Sequence, residues 1–314
     1  MNKLTINSSP HVSAPLDTQG IMKGVITALI PAMIAGIYFF RWQAVSVIIA
    51  TVAGSVAAEY LLQKLRKKKV QIKDFSAILT GLLLALVLPP AIPLWMAFFG
   101  GVFAISLGKE IFGGLGNNIF NPALLSRAFL MASFPVVLTT WTAPVAIDAA
   151  TMATPLALVK FDHIITPYSD LFLGNVGGCL GETSSAALLL GAIYLLWKKI
   201  IDYRIPLAYI GTVVVIAAIT HIINPKVFAG PVFHVLAGGL LIGAVFMATD
   251  PVTSPVTLKG RWIFGIGCGF IAMVIRLWGG LPEGVMYSIL LMNALTPLIN
   301  RATKRKRFGI TGGK

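Results

Sequence analysis

Ten apolar runs, most of them close to the length that crosses a lipid bilayer, divide this chain between residues 21 and 299. A straight membrane-spanning helix needs about 20 apolar residues, with about 17 as the short limit. Within lipid, an α-helix satisfies its backbone polar groups without outside partners. The sequence therefore predicts an all-α, polytopic protein with about ten transmembrane helices, at 21–40, 43–62, 76–90, 92–110, 120–139, 184–198, 206–223, 233–249, 262–279 and 284–299.

The composition supports this class and leaves no room for a separate soluble domain. The chain is 57% hydrophobic and only 11% charged, whereas soluble domains carry roughly 25% charged residues. We expect a polar cytoplasmic segment at 1–20, one transmembrane domain at 21–300 with an outer loop at 140–183, and a basic cytoplasmic tail at 301–314. The two cysteines form no CxxC motif, so an iron–sulfur or zinc site made by this chain alone is not expected.

The positive charge is distributed as membrane topology requires. The net charge is +14, but the basic residues of the chain form short clusters between apolar runs, and this distribution argues against a nucleic-acid partner. With ten crossings, 20 of the 25 lysines and arginines fall on one side. Because basic loops stay in the cytoplasm, both termini are predicted to be cytoplasmic in a multi-pass protein of the bacterial or archaeal inner membrane.

Two of the runs resemble each other and indicate an internal repeat. Residues 79–90 read LTGLLLALVLPP, and residues 237–251 read AGGLLIGAVFMATDP. They belong to the third and eighth runs, which are five apart and so cross in opposite directions. This pattern favours a 5+5 inverted repeat with interrupted helices, which places binding sites near the repeat interface. Two glycine- and leucine-rich helices that match by chance remain the alternative.

The inner segment 108–123 is the first candidate site. Its glycines allow a ligand to approach the backbone, and Asn118 and Asn121 offer donors and acceptors that suit a flat polar heterocycle. Arg127, which follows within the next run, is costly there unless it has a partner or reaches the interface. A turn with asparagine caps is the competing interpretation.

The outer segment 148–157 is the second candidate site. Asp148 precedes two threonines, Thr151 and Thr154, among small residues, and a threonine hydroxyl can carry a phosphoester. The residues alone favour the plainer interpretation, in which Thr154 caps a helix that begins at Pro155.

Four acidic residues lie near the ends of the runs and are candidates for an ion path. Asp250 is a candidate for binding a cation, for taking up protons or for anchoring the end of a helix. A capping role in its loop is an equal alternative. Glu182 is expected in the first turn of the sixth helix, where the helix dipole favours a negative charge. Glu59 and Glu110 lie near inner helix ends.

Four segments together carry a resemblance that covers nearly the whole chain. They are GKEIFGGLGNNIFNPALLSRAF, DAATMATPLAL, GGCLGETSSAALLLG and FMATDPVTSPVT. The set resembles the family formed by the D subunit of the Rnf complex and the homologous B subunit of sodium-translocating NADH:quinone reductase. The fold that this implies resembles that of the urea transporters.

The resemblance also implies cofactors. The family attaches FMN through its phosphate to a threonine in a motif that maps to Asp148, Thr151 and the acceptor Thr154. Met152 departs from the Gly or Ser that is common in the family. Non-covalent riboflavin near the inner segment is implied at Asn118 and Asn121, with Arg127 in the same candidate set.

The function implied is that of a flavin-carrying membrane subunit of a redox-driven pump, which exchanges electrons between ferredoxin and NAD and is coupled to Na+ or H+. It is an enzyme subunit and is not catalytic alone. The implied partners are other members of the Rnf complex, especially the FMN-carrying G subunit on the outer face and the membrane-embedded A and E subunits. From the residues alone, a solute transporter or channel with an inverted repeat is as well supported, and a structural scaffold is a third class.

Overall fold

The computed structural model describes residues 17–68, 70–144, 152–225 and 227–304. Within these ranges the chain folds into helices joined by turns and loops, which confirms the predicted all-α class. The helices are α1 Thr18–Leu65, α2 Ser76–Leu86, α3 Leu94–Ser106, α4 Pro122–Ser133, α5 Pro135–Thr139, α6 Pro155–Ala157, α7 Tyr168–Leu173, α8 Ser185–Trp197, α9 Arg204–Ile223, α10 Pro231–Leu236, α11 Leu240–Ile242, α12 Leu258–Trp278 and α13 Val285–Ala302.

Within the described ranges, four helical segments are long and apolar enough to cross a membrane. They are Thr18–Leu65, Leu94–Phe112, Arg204–Ile223 and Leu258–Trp278, and two shorter apolar helices, α2 and α8, accompany them. Many large apolar side chains on these helices face outward. Since water does not favour such a surface, lipid is the solvent for which this fold is built.

Helix α1 is a hairpin of two helices. Its 48 residues would extend about 72 Å as one straight helix, more than twice the thickness of the hydrocarbon core. Arg41 breaks the helical geometry with φ 48° and ψ −127°. Near the two ends of α1, the Gln19 amide donates to the carbonyl of Lys73 (2.6 Å), and Gln63 accepts from the backbone N–H of Gln71 (2.8 Å). Both ends therefore meet the same loop, and the chain reverses at Arg41, between the first and second predicted runs.

Two apolar segments are interrupted inside the bundle, and neighbouring groups satisfy the freed carbonyls. Helix α2 ends at Leu86, whose carbonyl accepts from the N–H of Gly181 (2.7 Å). In the second half, α10 and α11 are separated at Gly238, and a π-helical turn at Gly243–Met247 follows. The guanidinium of Arg276 donates to the carbonyls of His234 (2.6 Å) and Ala237 (3.1 Å). Such breaks are tolerated where the backbone is buried in protein.

Glycines allow close helix packing in both halves of the chain. A Cβ atom at Gly101 of α3 would overlap the carbonyl of Thr51 in the second part of α1. A Cβ at Gly269 of α12 would lie 2.7 Å from the carbonyl of Tyr209 in α9. Small residues at helix contacts let the backbones approach, as is common between membrane helices. The pair α1–α3 and the pair α9–α12 are thus built in the same way.

The candidate residues gather at two ends of the bundle. One end holds Gln19, the loop 66–75, the loop 107–121 and the loop 248–257, and we call it the basic end. The opposite end holds Trp141, the segment 152–183 and the loop 279–284. Asn118, Asn121 and Asp250 line a cavity at the basic end, and Thr154 and Glu182 line another at the opposite end.

Candidate functional site

A cavity at the basic end contains both asparagines of the first candidate site. It lies between the starts of α2 and α4, and its wall is mainly apolar. An apolar cleft with a few placed polar groups is typical of small-molecule sites. We call it the amide pocket, and its polar lining residues are Ser76, Thr80, Lys109, Asn118, Asn121, Thr249 and Asp250.

Asn121 joins two structural elements at the edge of the amide pocket. Its Oδ1 accepts from the N–H groups of Ala123 (3.1 Å) and Leu124 (3.3 Å), and Pro122 occupies the first position of α4. Its Nδ2 donates to the carbonyl of Met247 (3.4 Å), at the end of the π-helical turn. The capping interpretation is therefore correct for Asn121, and the same amide ties α4 to the interrupted segment.

Asn118 offers an acceptor that the described protein atoms do not use. Its Nδ2 donates to the carbonyl of Phe120 (3.2 Å). Its Oδ1 is buried and has no hydrogen-bond partner within the described part of the chain. Because buried polar atoms are nearly always bonded, this oxygen suits a ligand that brings an N–H donor.

Lys109 carries a positive charge beside the amide pocket, held by a buried ion pair. Its Nζ lies 2.7 Å from Glu59 Oε1 and 2.6 Å from Ser76 Oγ. Gln63 donates to Glu59 (3.0 Å) and to Glu110 (3.1 Å), so both acids belong to one network. A second cavity is lined by Glu59, Gln63 and Glu110 and shares the lining residue Leu115 with the amide pocket.

Asp250 lies in a turn and also lines the amide pocket. Its Oδ1 accepts from the N–H of Val252 (3.2 Å), and its Oδ2 accepts from the hydroxyl of Thr253 (3.3 Å). These bonds are those of an aspartate that organises its own loop, as the capping alternative predicts. The carboxylate is nevertheless placed where it meets a ligand in the pocket.

A cavity at the opposite end contains Thr154. We call it the threonine pocket, and the residues that line it include Trp141, Thr154, Gly177, Gly178, Glu182 and Glu283. The Thr154 hydroxyl accepts from the N–H of Ala157 (3.2 Å) and caps α6, in which Pro155 is the first residue. The helix start predicted at this position is confirmed. Asp148 and Thr151 lie outside the described residues.

Arg127 lies between the two pockets and lines neither. It is six residues beyond Asn121, about 9 Å along α4. Its guanidinium lies 3.5 Å from Glu182 Oε1 and 3.6 Å from Glu283 Oε2, and it donates to Cys179 Sγ (3.3 Å). The structure thus gives Arg127 the partners that an arginine in an apolar helix requires, but it separates Arg127 from the asparagines with which it was grouped.

The position of Glu182 differs from the prediction. Helix α8 begins at Ser185, and Ser184 caps it by accepting from the N–H of Ala187 (3.3 Å). Glu182 therefore precedes the first turn, where its carboxylate is buried beside Arg127 and faces the threonine pocket. The prediction was wrong because Ser184 is a good cap that the helix dipole argument did not consider.

Sequence reasoning also missed two residues that complete this cluster. Glu283 lies 3.9 Å from Arg276, and it accepts from the N–H of Gly239 at the helix interruption. Arg276 is buried near the end of α12. The sequence indicated both residues, because an arginine within an apolar run, here Arg276, implies a nearby carboxylate. Glu283 follows Arg276 seven residues later.

Comparison with known proteins adds a relationship that extends over nearly the whole chain. Residues 5–309 match the model of the NQR2, RnfD, RnfE family. The chain is 48% identical to the D subunit of the Na(+)-translocating ferredoxin:NAD(+) oxidoreductase complex of Acetobacterium woodii, over 98% of this chain and 96% of that one. It is 47% identical to the D subunit of the proton-translocating ferredoxin:NAD(+) oxidoreductase complex of Clostridium ljungdahlii, over 98% of this chain and 97% of that one.

More distant relatives are similar over the same length. The D subunit of the ion-translocating oxidoreductase complex of Escherichia coli is 35% identical over 97% of this chain and 98% of that one. These relatives confirm the resemblance that the four sequence segments carried, and all of them are subunits of ion-translocating oxidoreductase complexes. With its apolar helices and this coverage, the chain belongs to the NQR2, RnfD, RnfE family of membrane subunits.

Proposed function

We propose that this chain is a flavin-carrying membrane subunit of a redox-driven ion pump and that it passes electrons between the two ends of its helical bundle. Its relatives bear the names of ferredoxin:NAD(+) oxidoreductase subunits. The observation that supports the proposal best is the pair of pockets at the two ends of the bundle, one at the start of α4 and one lined by the carboxylate partners of Arg127 in α4. Each pocket holds one of the candidate cofactor residues, Asn121 at the start of α4 and Thr154 at the opposite end.

FMN is proposed to be bound covalently in the threonine pocket, through a phosphoester with the Thr154 hydroxyl. The described residues fit such a group, because Thr154 borders the cavity, Trp141 gives it an aromatic side, and Gly177 and Gly178 expose backbone. Asp148 and Thr151 complete the attachment motif. When bound, the flavin supplies the electron-transfer chemistry, and the protein orients it and sets its potential.

A second flavin, riboflavin without a covalent link, is proposed for the amide pocket. The unused Oδ1 of Asn118 suits an N–H of a flat heterocycle. Asn121 and Lys109 border the same space, and the apolar remainder of the wall excludes water from the ring. Arg127, farther along α4 than Asn121, contacts two carboxylates that line the threonine pocket.

The ten predicted crossings and the 5+5 inverted repeat, in a urea-transporter-like arrangement, form part of the proposal. The hairpin in α1, the matching glycine contacts of α1–α3 and α9–α12, and the interruptions after α2 and α10 support them. The basic end then faces the cytoplasm of a bacterial or archaeal inner membrane, with both termini on that side.

Ion coupling is proposed to use acidic residues at both ends. Asp250 and Glu110 lie at the basic end, and Glu182 lies beside the threonine pocket. The transported ion is Na+ or H+, both of which occur in the names of relatives. The proposed electron partners are the outer G subunit and the membrane-embedded A and E subunits of the same complex.

Mass spectrometry of the purified protein tests the flavin proposal directly. The proteolytic peptide that contains Thr154 is expected to carry FMN less one water in protein that is made together with the other subunits of its complex. Thr154→Ala is expected to lose the covalent flavin, whereas the control Thr140→Ala, whose hydroxyl bonds to its own helix at Val136, keeps it. A wild-type peptide without the modification, or covalent flavin in Thr154→Ala, contradicts the assignment and favours a solute channel with the same fold.

A further inference from the structure

A third cavity at the opposite end is lined by basic side chains and has no place in the flavin proposal. It lies beside the end of α12. Its polar lining consists of Lys160, His163, His234 and Arg276, and none of the described residues that line it is acidic. A concave surface with charges of one sign concentrates the field and attracts an ion of the opposite sign.

His234 is the unusual member of this basic cavity. It is only 4% exposed, and neither ring nitrogen has a hydrogen-bond partner in the described part of the chain. A neutral imidazole carries one N–H donor and one acceptor. A buried group that leaves both unused destabilises the fold unless a ligand or water satisfies it.

Arg276 leaves a second donor unused in the same cavity. Its two terminal nitrogens are occupied by the carbonyls of His234 and Ala237, and Glu283 lies 3.9 Å away. Its Nε–H is buried and has no partner among the described residues. Two donors from different helices therefore remain for something that occupies the cavity.

Lys160 adds charge to the cavity but has no donor left to give. Its ammonium donates to the carbonyls of Ile275 (3.1 Å), Gly279 (2.5 Å) and Leu281 (2.9 Å), which end α12 and follow it. These bonds fix the lysine beside the cavity. His163 completes the cavity from an exposed position next to Phe161 and Ile164, which are 62% and 57% exposed.

We propose that this cavity binds a phosphate group, either as a free anion or as the headgroup of an anionic phospholipid. A phosphate brings several acceptor oxygens to the N–H of Arg276 and to that of His234, and the charge of Lys160 favours it further. Phe161 and Ile164, which are close in the chain to the lining residue His163, are exposed apolar side chains that suit the acyl chains of a lipid. The site is distinct from the threonine pocket, because Thr154 does not line it.

Thermal unfolding of the purified protein in detergent tests this site with two probes, inorganic phosphate and phosphatidylglycerol added to the micelles. Diacylglycerol, which lacks the phosphate, is the control lipid. At least one probe is expected to raise the Tm of the wild-type protein with a saturable dependence, and diacylglycerol is not. A response to phosphate alone identifies a free anion as the ligand, and a response to phosphatidylglycerol alone identifies a lipid headgroup.

Variants decide whether the response comes from this cavity. His234→Leu removes the unused donor and is expected to weaken the binding of the active probe at least tenfold, while its own Tm without ligand stays at or above that of the wild type. His234→Gln, which restores a donor, is expected to recover part of the affinity. Lys198→Met, which removes a positive charge at the other end of the bundle, is the matched control and keeps full affinity.

The test also separates this site from the flavin site. Thr154→Ala is expected to respond to the active probe as the wild type does, whether or not the covalent flavin proposal is correct. The proposal is overturned if neither probe stabilises the wild-type protein. It is equally overturned if His234→Leu responds fully, or if Thr154→Ala abolishes the response.

Discussion

The two pockets are built from the sequence in different ways. The asparagines of the amide pocket come from one short stretch, in which Asn121 caps α4 and Asn118 bonds two residues ahead. The threonine pocket is assembled from segments that lie far apart in the chain, from Trp141 to Glu283. A local motif therefore positions both asparagines, whereas the tertiary fold assembles the rest of the amide pocket and all of the threonine pocket.

Buried ion pairs accompany both pockets, but their geometry differs. At the basic end, Lys109 lies 2.7 Å from a single carboxylate, Glu59, and also bonds to Ser76. At the opposite end, Arg127 lies 3.5–3.6 Å from two carboxylates, Glu182 and Glu283. The contact between Lys109 and Glu59 is short and involves one carboxylate, so it suits a rigid part of the pocket wall. The contacts of Arg127 are longer and are shared between two carboxylates, which suits a region whose charges respond to a change in the adjacent pocket.

The largest predicted effect comes from removing the shared cation. Arg127→Met leaves Glu182 and Glu283 without their common partner, so we expect a loss of about 3–5 kcal/mol in the free energy of unfolding, as for other broken buried pairs. The Tm of purified protein in detergent measures this. The double variant Arg127→Met/Glu182→Gln is expected to recover much of the loss, because Glu283 keeps its contact with Arg276. An unchanged Tm in Arg127→Met would show that these contacts contribute little.

The ion pair of Lys109 and Glu59 at the basic end should give a smaller loss. Lys109→Met leaves one carboxylate, that of Glu59, without its cation, but Glu59 still accepts a hydrogen bond from Gln63. We therefore expect the free energy of unfolding to fall by about 3 kcal/mol, at the lower end of the range for buried pairs. The double variant Lys109→Met/Glu59→Leu is expected to restore stability, because two apolar side chains then fill the space. A larger loss than that of Arg127→Met would reverse the comparison between the two ends.

The amide pocket can be weakened without changing the threonine pocket. Asn121→Ala removes the cap of α4 and the bond to Met247, and we expect about 1–2 kcal/mol of destabilisation from a lost cap. We also expect the flavin that is released by denaturation to fall, while the flavin that stays attached to the protein is unchanged. Asn121→Asp retains the capping acceptor and serves as the control for stability. Parallel loss of both flavin fractions would contradict two independent sites.

The sequence was informative where local rules decide the structure. The reversal near Arg41 and the caps at Asn121 and Thr154 follow from run length and capping preferences, and the structure confirms them. Each of these depends on residues within a few positions, which is the range over which backbone and side chain compete for the same hydrogen bonds.

The sequence was least informative where partners come from distant segments. Arg127 looked like a companion of Asn118 because they are close in the chain. One and a half turns of helix instead direct it toward Glu283, which is more than 150 residues away. No periodicity encodes such a pairing. Only the general cost of an unpaired charge in an apolar helix indicated that a partner had to exist.

The smallest predicted effect serves as a baseline for both buried clusters, at an ion pair in the loop before α9. Asp202 Oδ2 accepts from Arg204 (2.8 Å) and Arg261 (2.5 Å). Partial burial raises the pKa of Asp202, but the backbone N–H of Arg204 and the two guanidinium groups outweigh it, so the pKa lies below its ordinary value of 3.8. The folded state thus prefers the charged carboxylate, and the stabilisation is present above the unfolded pKa and lost as the pH falls through the folded pKa.

Asp202→Asn is therefore expected to cost less than about 1 kcal/mol at pH 7, the usual range for ion pairs near the surface. The difference in Tm between wild type and variant should shrink as the pH is lowered below about 4, since the wild-type carboxylate then becomes protonated. Asp162→Asn, whose side chain makes no ion pair among the described residues, is the control for a general effect of acid. If Asp202→Asn lowered the free energy of unfolding as much as Arg127→Met does, burial would not explain why the ion pairs beside the two pockets stabilise the fold more than an ion pair in a loop.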